Sequence, residues 1–113
     1  MTSRLWYRAV LREDRDEQIS MIREQFAAAL NDAGWPEGAC LFLTSRHARG
    51  ETVSKDDSPA DAEAVFFSPA AISAVPHLIV ACGAEPSPPP DRTCATLLVG
   101  ELTAWDLLPR STH

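Results

Sequence analysis

Two groups of side chains in this sequence are of types that could do chemistry. The first is His77 and Cys82, five residues apart within "AVPHLIVACG". Five residues turn a helix by about 500° and reach opposite faces of a strand, so neither geometry makes a local nucleophile–base pair. Cys40 and Cys94 add no C-x-x-C or H-x-x-x-H spacing. The sequence therefore predicts no metal site, and it predicts that the thiols are structural.

The second group is the cluster Arg46, His47 and Arg49 in "SRHARGE". Arginine offers forked donors that suit phosphate or carboxylate. Together with Arg8, this cluster could hold an anionic ligand between a predicted sheet and the 46–62 loop. The alternative is ordinary turn polarity beside the acidic run that follows. No phosphate loop, dinucleotide fingerprint or nucleophile elbow is present, so no catalytic residue and no cofactor are predicted.

Residues 4–12, "RLWYRAVLR", alternate with the period of a strand. One side is the expected core face and contains Leu5, Tyr7, Ala9 and Leu11. The other side is less ordinary, since it combines basic and apolar groups: Arg4, Trp6, Arg8, Val10 and Arg12. Tryptophan and arginine are enriched where proteins associate. The sequence predicts that this second side is buried against another chain.

These residues lie on or beside four predicted strands and two predicted helices. Strands are predicted at 4–12, 39–46, 63–67 and 94–100, and helices at 15–33 and 69–82. This β-α-β-β-α-β order describes the ferredoxin-like sandwich, in which two helices cover one face of an antiparallel sheet. The sequence thus predicts a single α+β domain over residues 1–113.

The second helix is the element with an open alternative. Ser68-Pro69 is a strong helix start, and Gly83 is a fitting stop. Pro76 would bend such a helix, or residues 77–82 could instead form an additional strand. Residues 83–92 are interpreted as an extended proline-rich connection, and 101–108 as a short turn that packs Trp105 and Leu108.

Composition limits the classes of protein to which the chain could belong. The net charge of −6 over 113 residues argues against a nucleic-acid binder and favours a partner with a basic surface. The start of the chain has no signal-peptide pattern, and the longest apolar run, 78–82, is too short for a bilayer. Three cysteines without paired spacing predict a reduced, cytoplasmic protein. Nine arginines against the single Lys55 are typical of a GC-rich bacterial genome.

These observations predict a function by association. The leading hypothesis is a homodimer, or a regulatory or inhibitory partner of another protein. The alternative is a dimeric small-molecule enzyme or binding protein that holds an anionic group with Arg8, Arg46, His47 and Arg49.

Overall fold

A computed structural model describes residues 5–11, 14–44, 63–90, 92 and 95–108. The strands form one antiparallel sheet in the order β4-β1-β3-β2-β5. The strands are β1 (Trp6–Val10), β2 (Leu41–Thr44), β3 (Ala64–Phe67), β4 (Glu85–Ser87) and β5 (Ala95–Val99). The helices are α1 (Arg15–Asp32), α2 (Pro69–Ala74), α3 (Pro76–Ala81) and a 3-10 helix (Leu102–Leu107). The α+β class is confirmed.

Helix α1 forms because its apolar residues recur at steps of three and four. The buried stripe consists of Ile19, Ile22, Phe26 and Leu30. The ring centroids of Phe26 and Phe67 lie 4.9 Å apart, which fixes α1 against the middle of the sheet. At the end of the helix, the Trp35 N–H donates to the Leu30 carbonyl at 2.7 Å. The chain therefore turns back towards β2.

The helical segment after β3 is divided in two. Val75 separates α2 from α3 with a φ of −136° and a ψ of 59°. The ring of Pro76 disfavours helical backbone at the preceding residue, so the chain breaks the helix there and starts another. The predicted single bent helix over 69–82 is therefore wrong. The alternative strand over 77–82 is also wrong, since 76–81 are helical.

The predicted ferredoxin-like sandwich of four strands and two helices is wrong. Within the described residues, the sheet has five strands and there are four helices. The additional strand, β4, lies in the segment interpreted as a connection, and it pairs Ser87 with Trp6 and Glu85 with Arg8. Pro86 has no backbone N–H to donate, and an edge strand tolerates this because one of its sides has no neighbouring strand to accept a hydrogen bond.

A buried serine ties three elements together. Ser68 is fully buried, and its hydroxyl donates to the Gly38 carbonyl at 2.8 Å. The same oxygen accepts from the N–H groups of Cys40 at 3.0 Å and Ala71 at 3.3 Å. It thus caps α2, as the sequence predicts, and also holds the start of β2 beside the end of β3.

The helices of the described residues include none that is both long and apolar enough to cross a membrane.

Candidate functional site

The residues predicted to hold an anionic ligand are not brought together in the part of the chain that the structure describes. Arg46, His47 and Arg49 lie outside the described residues. Arg8 is half-buried on β1, in register with Phe66 on one side and Glu85 on the other. The anionic-ligand alternative stays a prediction.

The predicted interface on β1 is built differently from its sequence-based description. Trp6 is only 5% exposed, so it is not an open anchor for another chain. Arg8 is half-buried, and Val10 is 39% exposed. Arg4 and Arg12 lie outside the described residues.

The cover over Trp6 comes from the same chain. Trp6 and Phe42 have ring centroids 6.1 Å apart, and Trp105 meets Phe42 edge-on at 5.0 Å. Ala104 and Leu108 are buried in the same cluster. The short turn predicted for 101–108 is present as the 3-10 helix, and it makes this sheet face a second core.

The same 3-10 helix forms one wall of a groove. A cavity of about 470 Å³ lies between this helix and residues 35–39, with Trp35 and Leu107 among its lining residues. A neighbouring cavity of about 410 Å³ shares Leu107 and reaches Pro69 at the start of α2. Leu107 is 44% exposed and lines both cavities, so the two form one groove.

The charge in this groove has one sign. Glu37, Glu101 and Asp106 line the larger cavity, and all three are exposed. None of the described residues that line it is basic. An indole, a leucine and three carboxylates are suited to a ligand that combines a cation with an aliphatic stem. The sequence alone did not predict this acidic group, because its members come from two segments, 35–39 and 101–107, that are distant along the chain.

Burial raises the pKa of both cysteines among the described residues, Cys40 and Cys82, which makes their thiols poor nucleophiles. Cys40 is fully buried, and burial raises its pKa to about 11 despite an opposing hydrogen bond with Ser68. Burial also raises the pKa of Cys82, which lines a cavity of about 300 Å³ between α1 and the end of α3. His77 is exposed on α3, and Cys94 lies outside the described residues. Among the described residues, no group of three or more potential ligands is arranged for a metal.

The buried thiol of Cys40 predicts a loss of stability at alkaline pH. An unfolded thiol ionises near its ordinary pKa of 9.0, whereas the folded one stays protonated up to about 11. The unfolded state therefore binds fewer protons between these values, and the free energy of unfolding should fall as pH rises through them. Urea unfolding at a series of pH values measures this fall. Cys40→Ala should show a shallower fall, and parallel curves for the two proteins would contradict the prediction.

The described fold and groove define a small α+β protein with a concave, acidic surface that carries an indole. Comparison with protein-family models, with curated proteins and with solved structures gives no match.

Proposed function

We propose that this protein acts by association, as a regulatory or inhibitory binding module whose groove receives a basic segment of another protein. The observation that carries the proposal is the composition of the larger cavity. Trp35 and Leu107 supply apolar contact, while Glu37, Glu101 and Asp106 supply negative charge.

An arginine or lysine side chain fits this composition. Its aliphatic stem can lie along Leu107 while its charged end meets a carboxylate or the face of Trp35. Exposed ion pairs contribute little individually, so several contacts along the groove are needed for useful affinity. The net charge of −6 would also speed the approach of a basic partner.

Binding of a basic peptide tests the proposal. The probe is a blocked peptide of alternating arginine and leucine, titrated calorimetrically, with a glutamate–leucine peptide as the negative control. We expect the arginine peptide to bind, and its affinity to fall as salt rises because exposed charges are screened.

A matched pair of double variants locates the site. Glu37→Gln with Asp106→Asn should weaken peptide binding by about tenfold, equivalent to about 1.4 kcal/mol. Glu24→Gln with Asp32→Asn makes the same change of net charge at exposed positions of α1, and it should leave binding nearly unchanged. Equal weakening by both pairs, or no binding at low salt, would rule out the groove.

A further inference from the structure

We propose that the basic segment received by the groove also carries an aliphatic side chain, which enters the smaller of the two cavities. This inference rests on the proposed function and names a second feature that the partner must have. The two cavities that share Leu107 differ in composition, and that difference carries the proposal.

The smaller cavity, of about 410 Å³, is mainly apolar. Among the described residues that line it, Glu37 has the only charged side chain. The rest of its described lining consists of Trp6, Gly38, Pro69, Ala70 and Leu107. The larger cavity, in contrast, has the three carboxylates of Glu37, Glu101 and Asp106. An aliphatic side chain in the smaller cavity would leave water for apolar contact, which is favourable.

A second basic side chain is a poorer occupant of the smaller cavity. Glu37 lines both cavities, so a cation in each would have to share this one carboxylate. The cation in the smaller cavity would also lose water beside Ala70 and Leu107, and no second carboxylate is among the described lining residues to replace that water. The distribution of charge therefore favours one basic and one aliphatic side chain.

Gly38 lies at the junction of the two cavities, since it lines both. Its carbonyl accepts a hydrogen bond from the buried Ser68 hydroxyl at 2.8 Å. A Cβ added at Gly38 would lie 3.7 Å from the Cβ of Ala70 and 3.9 Å from Cδ1 of Leu107, so a side chain there would take up space between these two walls. The glycine thus keeps the smaller cavity open before a ligand binds, and a pre-formed site costs less to fill.

The shared wall sets the spacing of the two side chains in the partner. Because the cavities have Glu37, Gly38 and Leu107 in common, the basic and the aliphatic side chain must enter from nearby positions on one side of the segment. In an extended segment, side chains two residues apart lie on the same side. The expected motif is therefore a basic and an aliphatic residue separated by one residue.

Two blocked peptides of equal length and equal charge test the inference. One repeats arginine–serine–leucine–serine, and the other repeats arginine–serine–serine–serine. In titration calorimetry at low salt, we expect the leucine peptide to bind at least about tenfold more tightly, since burial of one leucine side chain is enough for that difference. The heat-capacity change on binding should also be more negative for the leucine peptide, because it reports apolar burial.

A matched pair of variants on α2 locates the leucine. Ala70 is half-buried at the smaller cavity, and Ala70→Gln would fill that cavity with a polar side chain. The leucine peptide should then bind no more tightly than the serine peptide, whose own affinity should not change. Ser73→Gln places the same side chain at an exposed position of α2 and should leave both affinities unchanged. The comparison of the two peptides on the wild type stands even if Ala70→Gln fails to fold.

The outcomes separate this inference from the groove proposal. Equal affinity of the wild type for the two peptides would overturn the inference and leave the groove proposal standing. The same follows if folded Ala70→Gln keeps the preference for leucine, or if Ser73→Gln loses it equally. Binding of neither peptide at low salt would overturn the groove proposal, and this inference with it.

Discussion

Trp6→Ala is expected to lower the free energy of unfolding by about 3–5 kcal/mol, the usual cost of truncating a buried tryptophan. Trp6 is 5% exposed and packs in a cluster with Phe42 and Ala104. Its removal would leave a cavity between the sheet and the 3-10 helix. Because that helix also forms a wall of the groove, the variant should bind the arginine–leucine peptide less well even when folded.

Val10→Ala is the matched control for this experiment. Val10 lies on the same strand and is 39% exposed, so its truncation should cost less than about 1 kcal/mol. Urea unfolding followed by tryptophan fluorescence and circular dichroism measures both variants. A loss at Trp6 as small as the loss at Val10 would show that the indole is not part of the second core.

Gly100→Ala is expected to lower the free energy of unfolding by roughly 2–5 kcal/mol, from backbone strain and overpacking together. Gly100 has a φ of 133°, and an added Cβ would lie 2.8 Å from the Cβ of Cys40. Cys40 is fully buried and directly precedes β2, so neither backbone can yield easily. The change should therefore disturb the junction between β5 and the 3-10 helix.

Gly34→Ala separates strain from steric overlap. Gly34 also has a positive φ, 83°, but an added Cβ there would meet nothing within 4 Å. Its expected cost is the strain alone, about 1–2 kcal/mol. Thermal unfolding of the two variants gives the comparison. If both lose the same stability, the close approach of Gly100 to Cys40 is not energetically significant.

Local patterns in the sequence were sufficient for several elements. The recurrence of Ile19, Ile22 and Phe26 predicts α1, because the helical period places them on one stripe whatever lies opposite. The Ser68-Pro69 start of α2 is equally local, since the serine caps a residue three positions along the chain. Most strands were predicted for the same reason, because alternation and short apolar runs are properties of neighbouring residues.

Tertiary structure decided what those patterns could not. The sequence of β4 shows no strand signal, because it is only three residues long and contains Pro86. It is a strand because it pairs with β1, which is distant in the sequence. The alternation in residues 4–12 also placed Leu5 on the core face and Trp6 on a face for another chain. In the structure, Leu5 is 50% exposed, and Trp6 is buried within its own chain.

The groove has the same origin as the burial of Trp6. Residues 101–108 cover Trp6 from about a hundred positions along the chain. That covering helix brings Glu101 and Asp106 close to Glu37. The sequence by itself determined α1, the start of α2 and most strands, because their signals lie within a few residues. The second core and the acidic groove depend on contacts between distant segments, and only the folded chain makes those contacts.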